Sequence, residues 1–302
     1  MSRQWLRQSE RTTPLMLYAM RWIALNLGRG LAKAVLYPGT LYFLATGRGG
    51  RRASRDFLSR VFGRRASLLE VYRHQRTFAT TVMDRVLFLT GRYDRFQIEV
   101  HGREEVLALE SVRQGGGVLL LGSHLGSFEV LRSLAVAKRN LPIKVLMHRA
   151  HNERITRLLD ALNIDVADTV IPMGRPDTML RAKEWTDAGG FLGLLGDRVD
   201  AGAKVVRCRF FDRPVNLPAG PMLLASVLKV PVVLFFGLYH GGNRYSIHFE
   251  ILAEQIDLPR SEREARLAEW TQRYAERLEY YARKAPYNWF NFYDYWDDHS
   301  SA

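Results

Sequence analysis

His124 and Glu129 stand five positions apart in Ser123-His-Leu-Gly-Ser-Phe-Glu129. A histidine and a carboxylate at this spacing suit a general base oriented by an acid. Directly before them runs Gly117-Val-Leu-Leu-Leu-Gly122, an apolar stretch that reads as a buried strand. Ser123 to Ser127 reads as a tight turn around Gly126, and Phe128 onward as a helix. The imidazole then sits at a strand end and the carboxylate in the first helical turn. Glu129 is expected to reach one ring nitrogen and leave the other free to take a proton. Competing readings fail on spacing. No Gly-Lys-Ser/Thr follows to make a phosphate loop, and the glycines do not fit a dinucleotide fingerprint. A zinc protease needs a second histidine four residues on, where Phe128 stands. There is also no Gly-x-Ser-x-Gly elbow to present a serine nucleophile.

Other polar residues also fall where apolar runs end. Gly196-Asp197-Arg198 follows Phe191–Leu195, and His148-Arg149 follows Ile143–Met147. In open α/β sheets, sites gather beyond the carboxyl ends of strands. Arg198 suits a phosphate or carboxylate held by two hydrogen bonds; a surface Asp–Arg pair is the plain alternative. Backbone amides of the turn at Gly126 and Ser127, or a cation such as Arg149 or Arg198, are candidates for stabilising an oxyanion. Tyr287-Asn-Trp-Phe-Asn-Phe-Tyr-Asp-Tyr-Trp296 is densely aromatic. Trp289, Phe290 and Phe292 could line an acyl or lipid pocket or anchor at a membrane interface, and a tail packed on the core fits equally well.

The elements that must carry these residues alternate. Phe96–Val100, Gly117–Gly122, Ile143–Met147, Phe191–Leu195, Val230–Leu238 and Tyr245–Ile251 read as strands. Helical segments around 128–139, 152–163, 176–188 and 219–228 lie between most of them, the last entered through Leu217-Pro-Ala-Gly-Pro221. The expected fold is α/β, with a mainly parallel sheet flanked by helices. Ser67-Leu-Leu-Glu70 and Ser261-Glu-Arg-Glu264 match capping boxes. The first opens a helix reaching toward Gly91; the second leads an amphipathic helix with Leu267, Trp270, Tyr274, Leu278 and Tyr281 on one face.

Composition narrows the partners. The 302 residues are 47% hydrophobic and carry 44 Lys+Arg against 31 Asp+Glu, a formal net charge of +13. That field favours an anionic partner: nucleic acid, anionic lipid or an acidic carrier protein. The single Cys208 excludes an internal disulfide and a cysteine-built zinc cluster. No signal peptide is evident in the polar first 13 residues. Pro14–Gly28 and Leu31–Thr46 are apolar but interrupted by Arg21, by Lys33 and by Pro38-Gly39, so neither is a clean run of about 18 apolar residues. They read as membrane-associated interfacial or re-entrant helices, against a buried helical hairpin as the alternative. Arg48, Arg51, Arg52, Arg55, Arg60, Arg64 and Arg65 follow, with Asp56 the one acid among them. A basic cluster beside an apolar segment is a cytoplasmic-leaflet signature, and the absence of nucleic-acid motifs favours lipid over nucleic acid. Residues 1–66 are thus an N-terminal membrane-associating part and 67–302 an α/β part, expected to fold as one unit.

Taken together, these blocks resemble the lysophospholipid acyltransferase superfamily, with its His-x4-Asp/Glu signature at His124 and Glu129. His148-Arg149 falls at the second block of that superfamily, Gly196-Asp197-Arg198 at the third, and Val230-Pro-Val232 at the fourth. Within it the chain is most similar to the late acyltransferases of lipid A biosynthesis (the lauroyl and myristoyl transferase type), over most of residues 1–296. Arg198 stands where those enzymes usually have Gln, and the aromatic block departs from their Trp-rich basic version. In these respects the chain looks like a separate bacterial branch, some members of which accompany aryl-polyene pigment biosynthesis. The resemblance implies a transferase at the cytoplasmic face of the bacterial inner membrane. It would move a fatty acyl group from an acyl carrier protein or CoA thioester to a hydroxyl or amine of a lipid or glycolipid, with neither metal nor cofactor. A thioester or ester hydrolase using His124 on water, and a non-catalytic membrane-surface protein, are the alternatives. The acceptor stays open.

Overall fold

The computed structural model describes residues 14–138, 142–147, 168–200 and 202–296. Four helices come first: α1 (Pro14–Asn26), α2 (Arg29–Thr46), α3 (Arg48–Phe62) and α4 (Leu68–Leu89). Then follow β1 (Gln97–His101), the short α5 (Arg103–Leu107) and α6 (Glu110–Arg113), β2 (Val118–Gly122), α7 (Phe128–Lys138), β3 (Ile143–Met147) and β4 (Val170–Pro172). The remainder is α8 (Thr178–Asp187), β5 (Phe191–Leu195), β6 (Val205–Phe210), β7 (Arg213–Pro218), α9 (Gly220–Leu228), β8 (Val232–Tyr239), β9 (Arg244–Ala253) and α10 (Arg263–Lys284).

Seven strands form one sheet in the order β1-β9-β8-β2-β5-β3-β4. Every neighbouring pair is parallel except β8 and β9, which are antiparallel. Position in the sheet explains strand composition. β2 and β8 lie inside it and are buried at every residue, so they read as continuous apolar runs, as strands covered on both faces must. β1 is an edge and is mostly exposed. The mixed α/β architecture with a mainly parallel sheet therefore stands as the sequence indicates, while the expected helix at 152–163 lies outside the described residues.

The hairpin β6–β7 is an element the sequence reading lacks. Its burial alternates strictly along β6, which is a legible strand signal. Its turn, however, is Phe211-Asp212, both at positive φ (50° and 57°), where Asn-Gly would be the usual cue. Tertiary contacts hold it: Phe211 is buried, its N–H donates to the Glu279 carboxylate, and Arg283 lies over its ring at 4.7 Å.

The two capping boxes part ways. Ser67 forms both arms, its hydroxyl accepting from the Glu70 N–H at 3.2 Å and its own N–H donating to the Glu70 carboxylate at 2.7 Å. The box at Ser261 is not formed. Helix α10 begins at Arg263 with Glu262 as N-cap and no side-chain cap bond, so Ser261 and Glu264 no longer hold the N-cap and N3 positions the motif needs. The apolar face of α10 is buried as expected at Leu267, Tyr274, Leu278 and Tyr281.

At the N-terminus, α2 continues through Pro38 rather than breaking there. Its inner side is tied to the body by Arg29, which makes two 2.7 Å hydrogen bonds to the fully buried Asp84 of α4. Tyr245 of β9 donates to the same carboxylate at 2.8 Å. The outer side of α2 leaves Leu31, Val35, Leu41 and Tyr42 exposed, and α1 adds the exposed Tyr18 and Trp22. No described helix is long and apolar enough to cross a membrane.

A second buried polar joint lies further along α4. His74 is fully buried; its Nδ1 meets the Ser54 hydroxyl at 2.8 Å and its Nε2 the Trp289 carbonyl at 2.8 Å. A carbonyl only accepts, so Nε2 carries the proton and the Ser54 hydroxyl donates to Nδ1. Burial holds this ring neutral, with its pKa pulled from 6.5 to about 4. Between those values the unfolded chain binds a proton that the folded protein refuses. His74 stability is therefore full above pH 6.5 and is lost as the pH falls toward about 4, by on the order of 3 kcal/mol. Urea unfolding at stepped pH should show a steeper loss of stability on acidification in the wild type than in His74→Asn; identical slopes would refute it.

Candidate active site

Strand register places the central pair of side chains. β2 and β5 run parallel with Gly122 opposite Leu195. The chain leaves both strands at the same height, and Gly196 N–H donates to the Gly122 carbonyl at 3.0 Å. Two residues beyond each partner stand His124 and Asp197. They meet at the carboxyl edge of the sheet, with Nδ1 2.7 Å from the Asp197 carboxylate. The His124 backbone N–H donates to the same carboxylate at 3.0 Å.

Asp197 is almost wholly buried and collects donors from all sides. Besides His124, it accepts from Trp289 Nε1 at 3.2 Å and Asn291 Nδ2 at 2.8 Å. Burial alone would raise its pKa, but His124, Arg198 and Asn291 outweigh that and hold it down at about 2. An ionised carboxylate can only accept, so Nδ1 carries the proton and Nε2 keeps its lone pair. Nε2 has no hydrogen-bond partner among the described residues, and 28% of the His124 side chain is accessible. Desolvation, then the Arg198 guanidinium, lower the His124 pKa despite Asp197 beside it. The ring is thus a neutral base at neutral pH, open on one nitrogen.

Glu129 does not orient His124, contrary to the expectation from spacing. It lies in the first turn of α7, buried, and faces away to two arginines. Arg85 of α4 donates to it at 3.1 Å, and Arg132, one turn further along α7, stands 3.3 Å from its other oxygen. The physical reason is helical geometry. Residues three apart share a face, so Glu129 points with Arg132 toward α4, which packs on α7. Its pKa is lowered: burial opposes ionisation, but Arg132 and Arg85 prevail.

The turn amides are also committed elsewhere. Gly126 N–H donates to the Asn288 carbonyl at 2.8 Å and Ser127 N–H to the Gly237 carbonyl at 2.7 Å. Neither is free to meet an oxyanion. Gly126 is required here: its φ is 79°, and a Cβ would fall 2.0 Å from the Gly237 oxygen. Arg198 bonds Asn291 Oδ1 at 2.8 Å and the Phe290 carbonyl at 3.0 Å, yet stays close enough to His124 to depress its pKa. Arg149, with His148, lies outside the described residues.

The aromatic block packs as a tail on the core and braces the site. Trp289 is fully buried among Phe57, Phe210 and Tyr295, not lining a pocket. Phe290 N–H donates to the His124 carbonyl at 2.8 Å, and Tyr295 Oη to the Asp197 carbonyl at 2.7 Å. Phe290 and Phe292 contact Phe78 at ring-centre distances of 5.2 and 5.1 Å, and Phe78 is exposed. Among the described residues no group of three or more His, Cys, Asp or Glu is placed to hold a metal ion. Sequence reasoning missed Arg85, Asn288, Asn291 and Tyr295. The two asparagines had a signal, being polar residues inside an aromatic run; Arg85 had none. Because Glu129 is the buried counter-charge of two arginines, Glu129→Ala should cost about 3–5 kcal/mol of stability in urea unfolding. A loss under about 1 kcal/mol, the range of surface pairs, would show that the carboxylate is not structural.

No curated protein matches the chain. A family model described as bacterial lipid A biosynthesis acyltransferase matches residues 4–297. The match takes in the four N-terminal helices, the sheet with His124 and Asp197, and the aromatic block, and the chain belongs to that family of acyltransferases.

Proposed function

We propose that the protein transfers a fatty acyl group from a thioester to a hydroxyl or amine of a lipid acceptor, with His124 as general base and Asp197 as the residue that holds its tautomer. The observation that carries this reading is the His124 ring bonded through Nδ1 to a buried, ionised Asp197 while Nε2 stays open. Family membership supplies the reaction class and a lipid-like acceptor.

In this mechanism the acceptor hydroxyl gives its proton to Nε2 as its oxygen bonds to the thioester carbonyl carbon. Asp197 stabilises the imidazolium so formed. The tetrahedral intermediate then expels the thiolate as the C–S bond breaks, and the imidazolium returns its proton to that sulfur. No acyl-enzyme is needed. With the Gly126 and Ser127 amides committed, stabilising the oxyanion falls to cations near His124. Arg198 and Arg85 both act on its ring. The exposed Phe78, its ring tilted against that of Phe290 beside His124, offers apolar surface to the acyl chain. The net charge of +13 suits an acidic acyl carrier protein or the phosphates of CoA. The exposed apolar side chains of α1 and α2 beside the arginines of α3 suit attachment to the inner membrane at its cytoplasmic face.

His124→Ala and Asp197→Asn should each lower kcat/KM by roughly 10²–10⁴-fold with the fold intact. Because the His124 pKa is lowered, wild-type activity should fall only below the ordinary histidine range as the medium is acidified. The assay uses acyl thioester with and without lipid acceptor. Near-normal turnover by His124→Ala would sink the mechanism, and release of free fatty acid without acceptor would favour hydrolysis instead.

A further inference from the structure

Helix α4 presents one row of side chains to the site. His74, Phe78 and Arg85 follow one another at intervals of four and seven residues, which a helix sets on one face. His74 bonds the Trp289 carbonyl at 2.8 Å, the Phe78 ring lies 5.2 Å from that of Phe290, and Arg85 reaches Glu129 at 3.1 Å. The turn that carries His124 lies between the last two contacts. Its His124 carbonyl is held by Phe290, and Glu129 stands in the first turn of the helix that follows. The Arg85 side chain and the His124 ring are both partly accessible, at 34% and 28%.

The two arginines that act on the His124 ring differ in what they still offer. Arg198 uses Nε and one Nη on Asn291 Oδ1 and the Phe290 carbonyl, which fastens the aromatic block. Arg85 uses one Nη on Glu129, and its other N–H groups have no partner among the described residues. A lone Arg85–Glu129 pair is neutral, and its field at the site would largely cancel. Arg132 restores the charge. It is 4% exposed, with Nε 3.3 Å from Glu129 and Nη1 lacking a hydrogen-bond partner. A guanidinium buried in this way costs free energy and contributes charge rather than hydrogen bonds. The trio then carries one net positive charge, with Arg85 as its accessible end, and burial leaves that charge weakly screened. Its field reaches the imidazole, where Arg85 opposes protonation.

We propose that Arg85 is the catalytic residue that stabilises the oxyanion, with Glu129 and Arg132 as its positioning residues: Glu129 fixes the guanidinium, and Arg132 offsets the Glu129 charge. As the acceptor oxygen bonds to the carbonyl carbon, the carbonyl π pair moves onto its own oxygen, which accepts N–H bonds from Arg85. The pair returns as the C–S bond breaks, and Arg85 keeps its protons throughout. The assignment rests on the acyl-transfer reading above. It gives the His124–Glu129 spacing a use: one residue is the base, and the other aims the electrophile.

The test has two arms on the full-length chain. The first is turnover of dodecanoyl-CoA with an underacylated lipid A precursor. Arg85→Gln should lower kcat roughly 10²–10³-fold with KM little changed, and Arg85→Lys, which keeps the charge, should recover part of the loss. Glu129→Asp keeps its charge but draws the carboxylate back from Arg85. It should lower kcat by up to about a hundredfold and add nothing further in the Arg85→Gln background; additive losses would mark a merely structural Glu129 and overturn its positioning role. The second arm needs no turnover. Imidazole NMR titration should find the His124 pKa higher in Arg85→Gln than in the wild type, because a charge that opposes protonation has been removed. An unchanged His124 pKa would overturn the proposal, since a guanidinium too remote to act on the ring is too remote for the oxyanion beside it. So would near-normal kcat in Arg85→Gln while His124→Ala is inactive, an outcome that leaves the general base intact. Full activity of His124→Ala would instead bring down the transfer reading and this assignment with it. Should Arg85→Gln not fold, Arg85→Met is carried through both arms with the same expectations.

Discussion

A buried carboxylate must be fully solvated by the protein or it will not stay charged, and Asp197 imposes that constraint on everything near it. Its donors come from two separate stretches of chain, the turn after β2 and the aromatic block. The block is therefore more than a tail. Trp289 and Asn291 solvate the carboxylate, Tyr295 holds its backbone carbonyl, and Phe290 and Asn288 fasten the turn that carries His124. Nearly the same bonds that make the anion tolerable make the imidazole rigid, with one nitrogen aimed outward.

Helix α4 joins this centre to the rest. Arg85 reaches Glu129, His74 reaches the Trp289 carbonyl, and Asp84 takes Arg29 and Tyr245. Each is a polar joint in a mostly apolar interface. Such joints add little net stability when complete but cost heavily when broken, so they specify how the N-terminal helices seat on the sheet. The electrostatic result at His124 is a balance. Burial, Arg198 and Arg85 oppose protonation and Asp197 favours it, so the ring can accept a proton during reaction without holding one at rest.

Much of the fold was legible because burial writes itself into composition. Ile143–Met147 and Phe191–Leu195 agree residue for residue with strands of the sheet, since a strand covered on both faces can hold little else. The Ser67 box could be read because its partners lie three residues apart. The Ser261 box was misread because helix starts depend on tertiary packing as well as local pattern. The β6–β7 turn escaped because Phe211 and Asp212 adopt positive φ only under contacts from α10.

The candidate site divides in the same way. The sequence by itself determined that His124, Glu129 and Asp197 stand at element ends, where an α/β sheet exposes functional groups, and that an excess of arginine follows an apolar segment. It could not determine which carboxylate serves the histidine. Closeness along the chain pointed to Glu129, but a helix aims that side chain with Arg132. Asp197, 73 residues away, is brought alongside because parallel pairing sets Gly122 against Leu195. Register between strands distant in sequence is a property of the assembled sheet, and only the tertiary structure decided it.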